Sequence, residues 1–454
     1  MLISENQIIN ISVNLTIFIL VLIFSIFFIS RMKIESKGYK LFFVSYVFFW
    51  IPLKMLREYT SVMQSSIDTT IMWLPLAAYG FVGIFCRPLV DWISTVLKNR
   101  KAILYSAIII GILSFIPVIF VQNTATNTIQ TIGVGIGASM IGTYELMYKE
   151  QYTYRKNFLT VSIMAIPPLL ADFISAPIQA LVGTFSKNNV GNDVSILSYL
   201  WVIGIVFYLI TLIMVVFVKE DRQKVASIKS NNIILNNTNG NIFYLLICLV
   251  GSIVSFVKFS NSGATATAQI NLLVTNYNSN NNDFIDVTNL QAYISVIFSF
   301  SQLMGTLFLQ MVLIKKFNKN TSFLIGIGIW ISFYLVTTYY LNPYFYFALT
   351  ALNGFSYGVL YNLVLAYILS LSFQKNKISP IGIYQGILSI GIMSSSFFTS
   401  FLKNQFTSLE NNLLINWTII GVLILCGLLF FLLSKLDKKN QKLVNIYSEK
   451  NIII

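Results

Sequence analysis

A chain of 454 residues that is 56% hydrophobic and only 10% charged cannot hide its apolar surface from water, because soluble domains carry about a quarter charged residues. The net charge of +14 raises nucleic acid as a partner, but the placement of the cations removes that reading below. Histidine is absent, which excludes histidine acid–base catalysis and histidine metal ligation, and Cys86, Cys248 and Cys426 lie too far apart in sequence to suggest a zinc site or a disulfide framework.

The hydrophobicity comes in blocks near twenty residues, the length that spans a bilayer as a helix. In lipid the backbone must satisfy its own hydrogen bonds, so these blocks are read as helices; a β-barrel would show short alternating strands instead. Thirteen spans are predicted, near 11–30, 41–64, 70–92, 102–121, 129–148, 158–184, 195–218, 241–268, 288–314, 322–340, 344–372, 378–402 and 412–434. The leading peptide MLISENQIIN has no basic residue and no small-residue cleavage site follows, so the first span is read as a retained helix. All but five of the 30 Lys and Arg fall in alternate loops, from Arg31/Lys33 through Lys98/Arg100/Lys101 to Lys435–Lys450; the five are Lys54, Arg57, Lys187, Lys258 and Lys403. A miscounted span would invert this bias in every later loop. The alternation therefore supports thirteen crossings of the cell membrane, with the N-terminus outside and the C-terminus cytoplasmic. It also explains the net charge as orientation, without nucleic acid.

The expected organisation is an extra N-terminal helix and loop (1–40), six core spans (41–218), a polar cytoplasmic linker (219–240, KEDRQKVASIKSNNIILNNTNGN within it), six further core spans (241–434) and a cytoplasmic tail (435–454). Six plus six around a polar linker fits two repeated bundles with a site between them at mid-membrane.

Chemistry enters at core span 1. Its apolar run LFFVSYVFFWIPL ends at residue 53, so the span must continue through Lys54, Arg57 and Glu58 to reach about twenty residues. Lys54 and Arg57, three apart, share a face. Cations in an apolar slab are costly unless they meet a water-filled cavity or a counter-charge, or snorkel to the surface. Core span 7 repeats the theme: its run IFYLLICLVGSIVSFV ends at Lys258 and continues through small residues. Asp172 lies mid-span among Pro167, Pro168 and Pro177, as a counter-ion for these cations or a proton carrier. Glu145, late in core span 4, suits a structural pairing with Arg87 or Arg100. Gly354 and Gly358, four apart, suit close helix contact.

The stretch YGFVGIFCRPLVDWISTVLKNRKAIL after core span 2 resembles the signature loop of the major facilitator superfamily, with Gly83, Asp91, Arg100 and Lys101 as the matching residues. The resemblance implies an all-α membrane protein of the major facilitator fold, two six-helix bundles plus one extra N-terminal helix, with those four residues as a conformational latch. The equivalent stretch of the second half, with Gly305 and Lys315/Lys316, lacks the Asp. The cations on core spans 1 and 7 resemble those of the organic phosphate/phosphate antiporters in that superfamily. This implies that Lys54 or Arg57 and Lys258 bind the substrate anion, with Tyr46, Tyr79 and Tyr361 near the site. The chain departs from that group in using Lys, which lacks the bidentate fork of Arg, and in placing Asp172 where the group has a His. The expectation is a secondary transporter, not an enzyme, probing a small anionic solute such as an organic phosphate. The alternative is proton-coupled transport of a drug, sugar or amino acid with Asp172 as proton carrier. A monomer in membrane lipid, with no cofactor and no metal, is expected.

Overall fold

The computed structural model describes residues 5–31, 37–68, 70–97, 100–144, 147, 157–187, 199–218, 233–234, 238–261, 264–280, 285, 287–313, 316–369, 371–372, 380–405 and 409–448. The described helices are α1 (Glu5–Arg31), α2 (Lys37–Ile67), α3 (Leu74–Leu97), α4 (Arg100–Phe120), α5 (Thr124–Ala138), α6 (Asn157–Lys187), α7 (Tyr199–Phe217), α8 (Thr238–Ser260), α9 (Ala264–Asn280), α10 (Val287–Phe308), α11 (Lys319–Tyr339), α12 (Pro343–Leu369), α13 (Pro380–Gln405) and α14 (Leu409–Ser448). A π-helical turn, Leu309–Leu313, extends α10. Two short strands, β1 (Ile233–Ile234) and β2 (Leu371–Ser372), pair in parallel.

Helix starts follow local chemistry. Asn123 accepts from the Thr126 amide at 2.9 Å and caps α5, which therefore begins at Thr124, ahead of the predicted 129. Asn342 caps α12 by accepting from the Tyr344 amide at 2.9 Å, and Pro343 fills the first helical position, where its missing N–H costs nothing. Pro167, Pro168 and Pro177 lie inside α6 without ending it. Neighbouring helices support such a helix, and Gln179 of α6 donates to the Met55 carbonyl of α2 at 2.6 Å.

Eleven helices among the described residues are long and apolar enough to cross a membrane. α2 falls outside that set because it carries Lys54, Arg57 and Glu58 at its centre, yet Phe42 to Leu56 are largely buried among other helices, so its charges need not meet lipid. α5 falls outside it because only 15 residues form its continuous described helix. The predicted span 241–268 is two helices: α8 ends at Ser260 in a run of small residues, and the more polar α9 follows. The predicted third span, 70–92, runs on to Leu97.

α2 packs on α6 and α7, α4 on α5 and α7, and α3 on α5. In the rest of the chain α10 packs on α12, α8 on α13 and α14, and α11 on α12 and α14. Two extensive contacts join these groups: α3 with α13, and α6 with α10. α10 and α12 approach so closely that a Cβ on Gly354 would fall 2.1 Å from the Phe298 carbonyl oxygen, and one on Gly305 would fall 2.2 Å from that of Phe355. α1 packs outside this body against α6, with Phe24 edge-on to Phe173 at 6.3 Å, and its Asn14 accepts a hydrogen bond from Tyr293 of α10.

Candidate functional site

A cavity of about 760 Å³ lies among the helices. α2 brings Tyr46, Trp50 and Lys54 to its wall, α3 brings Tyr79 and Arg87, and α8 brings Lys258 and Phe259. α10 adds Gln302, α12 adds Tyr357 and Tyr361, and α13 adds Gln385. Three cations, Lys54, Arg87 and Lys258, thus face one space, and the described lining contains no carboxylate.

Each cation is held differently. Lys54 forms an ion pair with Asp172 of α6, and the same carboxylate oxygen accepts from Ser299 of α10 at 2.6 Å. Asp172 therefore ties α2, α6 and α10 together, and it is 2% exposed. A buried pair of this kind depends on both partners, since removing one leaves a charge in an apolar interior. Lys258 is surrounded by rings: its Nζ lies 4.6 Å from the Phe259 centroid, 5.5 Å from Tyr357 and 5.8 Å from Phe298. Ring faces attract a cation most where water is excluded. Arg87 donates through Nη1 to the Gln385 carbonyl at 3.2 Å and to its Oε1 at 3.0 Å, and through Nη2 to the Tyr79 hydroxyl at 3.4 Å.

Of the residues that the sequence singles out for the site, Lys54, Lys258, Tyr46, Tyr79 and Tyr361 are brought together around this cavity, and Asp172 stands directly behind Lys54. Arg57 lies within α2, but its side chain is outside the described residues, as is Glu145. Gly83 and Asp91 meet α13: a Cβ on Gly83 would touch the Ser389 hydroxyl at 2.6 Å, and Asp91 is buried against Gly382. Lys101 donates to the Val216 carbonyl at the end of α7 at 3.1 Å, and Arg100 opens α4.

Arg87 corrects the sequence reading, which placed it with the basic loop residues. α3 continues ten residues past Arg87, about 15 Å of helix, so this side chain lies well inside the bundle. The signal was present in the apolar run PLVDWISTVL that follows it. Trp50, Gln302, Tyr357 and Gln385 were also unread; nothing local sets a cavity-facing Gln or Tyr apart from its neighbours.

The site offers cation chemistry in an enclosed space between packed helices, which binds and moves a solute. The fold and this cavity define a multi-pass membrane transporter rather than an enzyme. The family model for the Major Facilitator Superfamily matches residues 251–450, and with the fold this makes the chain a member of that superfamily. Among solved structures it is similar to the human organic anion transporter MFSD10 (TETRAN), at 11% identity over 87% of this chain and 100% of that one, with a TM-score of 0.61. It is also similar to a bacterial homologue of the human lysosomal transporter Spinster in an inward-facing and occupied conformation, at 12% identity over 89% and 98% of the two chains and a TM-score of 0.61. At these identities the likeness concerns the fold. No curated protein matches the sequence.

Proposed function

We propose that this chain is a secondary transporter that carries a small organic anion across the cell membrane by alternating access, with organic phosphates as the leading substrate class. The observation that carries this reading is the three-cation wall of one cavity, with the nearby Asp172 engaged by Lys54. Cations without such a task are expensive at membrane depth. The fold is shared with a protein described as an organic anion transporter, which supports the same class. In this reading Lys258 and Arg87 attract the anion, Lys54 and Arg57 add to the field, and Tyr46, Tyr79 and Tyr361 shape the space. Two six-helix bundles, 41–218 and 241–434, rock about the cavity. The reciprocal contacts support that division: the second core helix, α3, meets the eleventh, α13, and the fifth, α6, meets the eighth, α10. Gly83, Asp91, Arg100 and Lys101 act as the latch at the end of α3, and Gly83 and Asp91 are positioned to engage α13.

The second reading is proton-coupled transport of a non-phosphorylated solute. The Lys54–Asp172–Ser299 cluster favours it, because protonating Asp172 would release both partners. Uptake into proteoliposomes separates the two. Uptake that phosphate and glycerol phosphate compete away, and that Lys258→Ala abolishes, supports anion transport. Uptake driven by a pH gradient, indifferent to phosphate and lost in Asp172→Asn, supports the proton-coupled carrier.

A further inference from the structure

Two hydrogen-bond donors in the cavity wall have no acceptor among the described residues: Nε of Arg87 and Nε1 of Trp50. Neither is at the protein surface, since Arg87 is 6% exposed and Trp50 7%. The rest of the Arg87 guanidinium is occupied by Gln385 and Tyr79, which fixes its plane. Buried donors nearly always find an acceptor, so two unmet ones on one cavity call for an acceptor brought by a ligand. One of them is part of a cation, and a cation's hydrogen bonds are strongest to an anionic oxygen.

The surroundings constrain the rest of that ligand. α2 brings the rings of Tyr46 and Trp50 to the wall, 6.1 Å apart. α12 brings Tyr357 and Tyr361, stacked at 5.4 Å with 29° between their planes. Phe259 of α8 adds a further ring. Flat, rigid faces of this kind favour an offset or edge contact with another planar ring over a branched or fully hydroxylated body.

Building on the anion reading, we infer that the substrate is an anion with a planar, unsaturated body. Its anionic oxygen accepts from Arg87 Nε and the Trp50 indole N–H, and its ring lies on the aromatic side chains of α2 and α12. The arrangement is indifferent to whether that oxygen belongs to a carboxylate or a phosphate.

The test is calorimetric titration of the purified full chain in detergent with phenyl phosphate, benzoate, glycerol 3-phosphate, lactate and benzyl alcohol. Each aromatic anion is expected to bind at least about tenfold tighter than its aliphatic counterpart, with no heat from benzyl alcohol. Comparison of phenyl phosphate with benzoate identifies the preferred anionic group. Trp50→Phe, which keeps a ring and removes the N–H, is expected to weaken aromatic and aliphatic anions alike by about five- to tenfold. Arg87→Lys keeps the charge and removes Nε, with a larger loss. Tyr361→Leu should weaken the aromatic anions alone. Unliganded melting temperatures of the variants report on folding. Equal binding of aromatic and aliphatic anions would overturn the planar body while leaving anion transport standing. Wild-type affinity in both Trp50→Phe and Arg87→Lys would overturn the seat. Absence of binding by every anion would overturn this inference and the anion reading together.

Discussion

At the scale of single residues, the decisive feature is that the cations of this membrane protein are treated unequally. Lys54 is neutralised by Asp172, whereas Lys258 is held among rings and faces the cavity. The two should therefore respond differently to truncation. Lys54→Met leaves Asp172 buried beside a single hydroxyl donor and is expected to destabilise the protein by about 3–5 kcal/mol. Adding Asp172→Leu should recover much of that loss, a non-additivity that a double-mutant cycle of thermal unfolding in detergent would reveal. Purely additive effects would show that the pair is energetically uncoupled. Lys258→Ala is expected to leave the melting temperature nearly unchanged and to abolish anion-stimulated stabilisation, which a thermal-shift series with phosphorylated compounds would register. The cationic residues themselves were legible in the sequence, because Lys54 and Lys258 interrupt apolar runs. Their partners were not: Asp172 is 118 residues from Lys54, and Ser299 is 127 from Asp172.

At the scale of helices, close packing depends on small residues where backbones approach. The contact of α10 with α12 is the sharpest case, since a side chain at Gly354 would collide with the Phe298 carbonyl rather than with a movable side chain. Gly354→Leu is expected to force the two helices apart and to cost about 1–3 kcal/mol or more, lowering the melting temperature. Gly421→Leu on α14, where no atom lies within 4 Å of the added Cβ, is the matched control and should be neutral. Comparable melting temperatures for the two variants would contradict this account. Hydropathy located nearly every helix, because length and apolar content are local properties. It merged α8 with α9, because the small residues after Lys258 are as compatible with a continuing helix as with a break. It also ended the third span early, since Arg87 and Asp91 mimic a loop when read one residue at a time.

At the scale of the whole molecule, thirteen crossings place the two termini on opposite sides, and the distribution of Lys and Arg puts the C-terminus in the cytoplasm. With the native cysteines replaced by Ser, a cysteine at Ile9, which is exposed at the start of α1, should react with an impermeant maleimide in intact cells. A cysteine at Ser448, the last residue of α14, should react only after permeabilisation. Labelling of both from outside would require an even number of crossings. α1 stands apart from the twelve-helix body yet touches both sides of the α6–α10 contact, through Phe24 on Phe173 and Asn14 with Tyr293.

The sequence by itself determined that the chain is a helical membrane protein, how many times its hydrophobic blocks recur, and which charged residues lie within them. Those are one-dimensional properties, set by lipid acting on each twenty-residue window separately. Only the tertiary structure decided which of those charges share a space. Arg87 reaches Gln385 across 298 residues, Lys54 is tied through Asp172 to a serine on another helix, and Trp50 joins a wall with Tyr357 and Tyr361. Helix packing brings these groups together, and packing depends on the shapes of surfaces far apart in the chain, which no local pattern of residues records.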